Sequence, residues 1–364
     1  MKIGLFGGAF NPPHVEHKKV IDEAKKALGL DKCVIIPSYL PPHKRTADGT
    51  PFELRVAMCA LSFSDCEISE IERYSNDTNY TVNTLAKFKR IYPADKLYFI
   101  IGGDSMADLF KWYKPEEILD TVELVVYPRE GRIDDMHKAI SIARELGGKI
   151  TLLDFESDNI SSAEIRCLSS ISASLDGIVS SEVASFISEH KLYGNGFDDL
   201  LKERVNDRTY KHSVRTAAWA LRLNRQLALP TQEVFEASFL HDIAKQDTET
   251  FGVPNDAYGT PVAHQFRGAQ VLSELGCSDN VVDAVRYHTT GRADMTMLQK
   301  LVFCADMTEE GRSYEGLLEL REALLADFER GFRLCIKRTY EHLLGKGADI
   351  YYLTRDAYLF YQNE

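Results

Sequence analysis

The stretch that most restricts the fold runs from Gly7 to His17, Gly-Gly-Ala-Phe-Asn-Pro-Pro-His-Val-Glu-His, between the apolar run Ile3 to Phe6 and a helix-like segment. A strand that stops at glycines and feeds a helix brings free backbone N–H groups and the positive end of the helix dipole to one point. Negative charge is favoured there, and Gly7 and Gly8 let a ligand approach the backbone closely. Pro13 suits the first helical position, where no hydrogen bond is lost. His14 and His17 are three residues apart, so both rings are expected to point toward the same phosphates from the first helical turn. The dinucleotide fingerprint Gly-x-Gly-x-x-Gly is absent.

Apolar runs continue at Cys33 to Ile36, Leu97 to Ile101, Leu124 to Tyr127 and Ile150 to Leu153. They alternate with helix-period segments around Val15 to Leu28, Phe52 to Ser62, Val82 to Ile91 and Met136 to Leu146. This alternation predicts an α/β Rossmann-like domain, a mostly parallel sheet with helices on both faces. Ligands in such sheets bind beyond the carboxyl ends of the strands, so the loops there hold the candidates. Lys44 follows Pro41-Pro42-His43, and Tyr80 and Thr81 open a helix. Gly102 and Asp104 follow the third long strand, with Trp112 and Tyr113 beyond. Ser161, Ser162 and Arg166 combine helix-start hydroxyls with a guanidinium, a second anion site. From the residues alone, Lys44 also reads as a solvated lysine, Trp112 as a core anchor, and Ser161 with Glu164 as a capping box.

A chain of 364 residues has room for two domains, each with a sizeable core. The net charge of −12 argues against broad binding to nucleic acid or anionic membranes, whereas phosphate ligands need only a local basic pocket. The seven cysteines are scattered without a Cys-x-x-Cys pair and are expected to be reduced thiols of a cytoplasmic protein. No apolar run has membrane-spanning length, and the N-terminus does not read as a signal peptide.

After Tyr193-Gly194-Asn195-Gly196 the character of the chain changes. A first domain over 1–193, a linker over 194–198 and an all-α helical bundle over 199–364 are expected. Helices are predicted near Tyr210 to Leu227, Thr231 to Lys245, Val262 to Leu275, Asp279 to Tyr287, Met297 to Met307, Leu317 to Leu344 and after Ala348. They carry His212, His241, Asp242, His264, His288 and Asp306 as candidate metal ligands. Adjacent residues on one helix point about 100° apart, so His241 and Asp242 share a centre only if other helices enclose them.

Gly7-Gly8-Ala9-Phe10-Asn11-Pro12-Pro13-His14-x-x-His17 resembles the nicotinate-nucleotide adenylyltransferase family. So do the Pro-Pro-His-Lys, Tyr-Thr, Gly-x-Asp…Trp and Ile-Ser-Ser…Ile-Arg blocks, in the family's order, and the ending Val183, Phe186-Ile187 and Leu192-Tyr193. The resemblance implies a nucleotidyltransferase fold and the reaction of nicotinate mononucleotide with ATP, accompanied by Mg²⁺, to give the dinucleotide and pyrophosphate. It implies that His14, His17, Lys44, Arg166, Ser161 and Ser162 hold phosphates, with Gly7, Gly8, Phe10 and Asn11 forming the nucleotide turn. Tyr80 and Thr81 then meet the nicotinate carboxylate, Trp112, with Tyr113 beside it, stacks on the pyridine ring, and Gly102 and Asp104 hold ribose or metal. The nucleophile is the mononucleotide's own phosphate, so no protein nucleophile is required. Positioning alone can supply on the order of 7 to 11 kcal/mol. Two departures stand out: Ala163 replaces a threonine, and Glu16 replaces a glycine and is expected to add bulk and negative charge near ATP.

The second half is similar to the HD-domain phosphohydrolases, with the signature His…His-Asp…Asp. His241-Asp242-Ile243-Ala244-Lys245 and Ala305-Asp306…Glu310-Gly311-Arg312 look like the branch that cleaves diadenosine tetraphosphate symmetrically. That resemblance implies two transition-metal ions, iron first among them, with Asp242 and Lys245 catalytic and Arg312 neutralising polyphosphate. Water is the attacking group, and a bound metal lowers its pKa from 15.7 to about 7. Other readings stay open. The front could be a nicotinamide-using dehydrogenase, and the back a phosphatase of other nucleotides or a non-catalytic nucleotide sensor. Partners are expected to be small molecules, with self-association left open.

Overall fold

In a computed structural model, residues 1–39, 49–74, 79–128 and 132–362 are described. The chain forms two compact units, Met1–Ser169 with Ser174–Tyr193, and residues from Gly194 onward with Ser170–Ala173.

The first unit is built on a six-stranded, wholly parallel sheet in the order β3-β2-β1-β4-β5-β6. The strands are β1 (Lys2–Gly8), β2 (Lys32–Pro37), β3 (Glu67–Ile68), β4 (Lys96–Gly102), β5 (Glu123–Tyr127) and β6 (Ile150–Leu152). In β1, β2, β4 and β5 the continuous apolar runs follow from burial on both faces, because alternate residues enter different cores. Ile3, Leu5, Val34, Ile36, Phe99, Ile101, Leu124 and Val126 pack with Leu85, Phe88 and Ile140 from helices on one face. Phe6, Cys33, Ile35, Tyr98, Ile100 and Val125 pack with Val20, Ile21, Ala24 and Phe63 on the other. Strand order reverses at β1, whose neighbours are β2 and β4, so a crevice opens beyond the carboxyl ends of these strands. Strand β3 has no counterpart among the apolar runs of the sequence, since two residues carry no periodicity.

The helix after β1 is Val15–Leu28, with His14 as its N-cap. Pro13 therefore precedes the cap instead of occupying the first helical position. Gly29 ends the helix at φ 62°, a left-handed conformation that costs glycine little.

Among its described residues the second unit is helical throughout. The linker expected over 194–198 is shorter, because a helix already runs over Phe197–Arg204. Further helices are Asp207–Leu227, Thr231–Leu240, Ala263–Glu274, Asp279–Arg286, Met297–Thr308, Leu317–Ala326, Phe328–Gly345 and Tyr352–Gln362. Asn206, Ser278, Thr296 and Asp327 each accept a backbone N–H at a helix start, which fixes these boundaries chemically. Two expectations are corrected. The helix expected from Thr231 to Lys245 stops at Leu240 and passes into turns that carry His241, Asp242 and Lys245. The single helix expected over Leu317 to Leu344 is two, broken at the Asp327 cap. The two pack so closely that a Cβ on Gly331 would lie 2.6 Å from the Leu324 backbone. Among the described residues no helix is long and apolar enough to cross a membrane.

Candidate active sites

A cavity of about 700 Å³ opens at the carboxyl ends of the strands in the first unit, within the range of small-molecule sites. Of the residues anticipated for nucleotide chemistry, Gly7, Gly8, Phe10, Asn11, His17, Tyr80, Thr81, Gly102, Asp104, Trp112, Tyr113, Ser162 and Arg166 line it. Two described residues, His14 and Ser161, do not appear on its wall. His14 is buried behind His17, with ring centroids 3.6 Å apart, and its backbone N–H donates to His17 Nδ1 at 3.1 Å. Ser161 accepts the Glu164 N–H at 3.1 Å, acting as a cap. Lys44 lies outside the described residues.

The loop after β1 is held by donors from distant segments. Arg166 Nη1 donates to the Asn11 carbonyl and Ser162 Oγ to the Pro12 carbonyl, both at 2.8 Å. Arg55, only 2% exposed, donates Nη1 to the Ala9 carbonyl at 2.7 Å and Nη2 to the Ser38 carbonyl at 2.8 Å. It thereby ties the end of β1 to the segment after β2. Turning these carbonyls toward Arg55, Arg166 and Ser162 leaves the loop's N–H side available to an anion. Arg55 was missed in the sequence because it sits mid-helix among apolar residues, without a motif.

A Cβ on Gly102 would run into Asp104 Oδ1 and lie 3.3 Å from the Tyr127 ring, so glycine leaves the Asp104 carboxylate in its place. Tyr80 and Tyr113 face each other with centroids 4.7 Å apart and planes tilted by 36°. Glu72, also on the wall, is buried. It accepts the Tyr39 N–H at 3.2 Å and the Thr84 hydroxyl at 3.0 Å, and burial raises its pKa.

The expectation for Glu16 is corrected. It is absent from the cavity wall, buried, and bonded to Ser157 Oγ at 2.8 Å and to the Asp158 N–H. Its charge is satisfied on the far side of the helix start, so it ties down residues 157–158.

In the second unit all six anticipated metal residues converge. His212 with His241 and Asp242, His241 with His288 and Asp306, and Asp242 with His264 and His288 each bring donor atoms within 4.8 Å of one another. His212 comes from the long helix Asp207–Leu227, His241 and Asp242 from the turn after Thr231–Leu240, and His264 from Ala263–Glu274. His288 follows Asp279–Arg286, and Asp306 lies in the last turn of Met297–Thr308. Asp242 Oδ1 is 3.2 Å from His264 Nε2 and 3.4 Å from His288 Nε2, while His212 Nε2 is 2.9 Å from Asp306 Oδ1.

Three of the four rings share one backbone device. His241 Nδ1 meets the Ser238 carbonyl at 2.8 Å, His264 Nδ1 the Pro261 carbonyl at 2.8 Å, and His288 Nδ1 the Val285 carbonyl at 2.7 Å. A carbonyl only accepts, so each Nδ1 carries a proton, and Nε2 is the atom each ring turns inward as a ligand. His264 Nε2 then faces His288 Nε2 at 3.2 Å. Burial presses His241 down to about 3, a neutral ring near pH 7. At His212, burial is outweighed by the carboxylates of Asp306 and Glu309, which raise it to about 9. Inward lone pairs around two carboxylates fit a divalent cation, and a nitrogen-rich set of this kind suits transition metals over calcium or magnesium.

Cationic side chains edge the cluster. Lys245 Nζ lies 3.2 Å from Asp242 Oδ1 and 3.0 Å from His264 Nε2, and Arg312 Nη2 lies 2.5 Å from Asp306 Oδ1. Glu309 and Arg215, which no sequence pattern marked, join the same network through His212.

Comparison with known proteins agrees with this geometry. Residues 5–168 match the Cytidylyltransferase-like family, which places the first unit among nucleotidyltransferases, and residues 209–311 match the HD domain. A probable nicotinate-nucleotide adenylyltransferase of Pelobacter propionicus is 35% identical over 214 residues, 53% of this chain and 98% of that protein. One from Caldicellulosiruptor saccharolyticus is 34% identical over 197 residues, 53% of this chain and 99% of that protein. Through its first half the chain belongs to the nicotinate-nucleotide adenylyltransferase family, to which an HD domain is joined. A crystal structure described as a predicted HD superfamily hydrolase involved in NAD metabolism, from Clostridium acetobutylicum, is 25% identical, covers 45% of this chain and 94% of its own, and has a TM-score of 0.43.

Proposed function

We propose that the chain is a bifunctional enzyme of the cytoplasm. Residues 1–193 transfer the adenylyl group of ATP to nicotinate mononucleotide, and residues 199–364 hydrolyse diadenosine tetraphosphate to two ADP. The observation that carries the second activity is the convergence of His212, His241, Asp242, His264, His288 and Asp306. The first rests on family membership and on the cavity that the family's motif residues line.

In the first reaction a phosphate oxygen of the mononucleotide attacks the α-phosphorus of ATP, and the α–β bridging oxygen leaves with pyrophosphate. Both partners are anions, so the task is to align them and offset their repulsion. His17 and Arg166 stand on the wall as donors to ATP phosphates, steadied by His14 behind and by the Asn11 carbonyl. We assign Lys44 the same task from the motif alone. The N–H groups of Tyr80 and Thr81 meet the nicotinate carboxylate, Trp112 stacks on the pyridine, and Asp104 faces ribose or the Mg²⁺ that accompanies ATP.

In the second, water cleaves the central phosphoanhydride. A pair of transition-metal ions held there, iron by our assignment, would lower the pKa of water from 15.7 toward about 7. His212, His241, Asp242 and Asp306 would hold one ion, and Asp242, His264 and His288 the other. Asp242, which occurs in two of the three converging sets as do His241 and His288, would be shared between the ions. Lys245 and Arg312 place positive charge at the edge of the cluster for the polyphosphate.

Product analysis tests both assignments on the full chain. Pyrophosphate release from ATP should require nicotinate mononucleotide and exceed that with the amidated form. Diadenosine tetraphosphate should yield ADP as sole product. AMP with ATP as products would replace central by asymmetric cleavage, and faster phosphate release from mononucleotides would assign the HD domain another substrate; no turnover of either would make it a sensor.

A further inference from the structure

Glu309 lies immediately beyond the helix Met297–Thr308, three residues after Asp306, and its side chain is only 2% exposed. A buried carboxylate needs compensation. Here Arg215 Nε donates to Oε2 at 2.6 Å, the Gly311 N–H donates to the same oxygen, and Oε1 meets His212 Nδ1 at 3.1 Å. Gly311 has no Cβ, and one there would run into the Arg215 guanidinium, so the turn closes around this ion pair.

The contrast with the other rings gives the arrangement meaning. His241, His264 and His288 each lean on a neutral backbone carbonyl, whereas His212 alone leans on a carboxylate. An anionic acceptor on Nδ1–H makes the opposite nitrogen more electron-rich and fixes its direction. We infer that Glu309, oriented by Arg215, is a positioning residue that strengthens metal binding selectively at the His212 half of the cluster, making its two halves unequal in affinity. The inference rests on the metal reading of this site.

The turn is also held by contacts that do not involve the Glu309 carboxylate. Arg321 donates to the Thr308 carbonyl at 2.8 Å and to the Glu309 carbonyl at 2.6 Å, and Trp219 Nε1 donates to Thr308 Oγ1 at 2.9 Å. Substitution at Glu309 is therefore expected to leave the local fold in place.

The test is Co²⁺ titration of the full chain after chelator dialysis, by equilibrium dialysis, on wild type, Glu309→Gln, Glu309→Ala and Asp242→Ala. Thermal melting in chelator serves as a fold control. Two binding events are expected in wild type. Glu309→Ala should weaken one by about 10- to 100-fold, and Glu309→Gln, which keeps an acceptor for His212 but loses the charge, should weaken the same event less. The other event should stay at the wild-type value in both, while Asp242→Ala weakens both. Wild-type affinities in both Glu309 variants, or equal weakening of both events, overturn the inference and leave the metal site standing. A wild-type chain that takes up no Co²⁺ overturns the metal reading together with it.

Discussion

His212 and His241 face each other with their Nε2 atoms 3.2 Å apart. The Nδ1 proton of His241 is committed to the Ser238 carbonyl, so its Nε2 meets the other ring as a lone pair. Nearby, Asp306 Oδ1 lies 2.9 Å from His212 Nε2 and 3.8 Å from His241 Nε2. A cation bound by such a set would have no equivalent site in the unfolded chain. Chelator should therefore lower the melting temperature of the HD-domain transition, and Mn²⁺ or Co²⁺ should restore it. When free metal is 100 times Kd the stabilisation is about 2.7 kcal/mol. Calorimetry with and without chelator checks this.

Asp242 belongs to both halves of the cluster, His264 to one. Asp242→Ala should abolish the phosphohydrolase and remove both ions. His264→Ala should leave one ion, still held by His212, His241 and Asp306. Metal content of the purified variants, beside their rates, separates the two outcomes.

At the other site, His17 rather than His14 reaches the cavity wall. Removing one donor to developing charge costs about 10²- to 10³-fold in kcat. His17→Ala should lose adenylyl transfer on that scale while keeping its melting temperature. His14→Ala should lose rate and stability together, because it empties a buried position next to His17. Steady-state kinetics beside thermal melts would contradict these assignments if His17→Ala turned over normally.

Glu16→Gly should leave KM for ATP unchanged, since the carboxylate is bonded to Ser157 and the Asp158 N–H and not to the cavity. It should instead cost stability, about 1 kcal/mol for glycine in a helix plus the two lost bonds. A marked fall in KM for ATP would restore the view that Glu16 opposes the nucleotide.

Arg55→Met should keep most of the apolar packing but remove the donors of the Ala9 and Ser38 carbonyls, losing two hydrogen bonds from a charged donor at about 1.5–3 kcal/mol each. The loop after β1 then loosens, and kcat should fall more than the change in KM for the mononucleotide accounts for. A rate equal to wild type would show that the loop keeps its shape without this bridge.

Much of this was legible in the chain because the signals were local. Five of six strands stand out as apolar runs, four of them because burial on both faces demands side chains of one kind. The helices of the second half follow from their period and, at Asn206 or Thr296, from a side chain that caps its own neighbours. The turn at Gly7-Gly8 is legible for the same reason: the strand, the glycines and the histidine spacing lie within a dozen residues.

What stayed hidden was non-local. Glu16 looked like an intruder beside ATP because its neighbours in sequence are cavity residues, yet its partners lie 141 and 142 positions away. Glu309 is 97 positions from His212, and Arg55 reaches back 46 residues to Ala9. The sequence by itself determined which residue types were available: inward-facing apolar strands, a phosphate turn, and four histidines with two aspartates on helical segments. Only the tertiary structure decided which of them share a point in space, which carboxylate leans on which ring, and which charge is buried instead of facing a ligand. Hydrogen bonds and desolvation act over a few ångströms, and that distance is set by how the helices pack, not by separation along the chain.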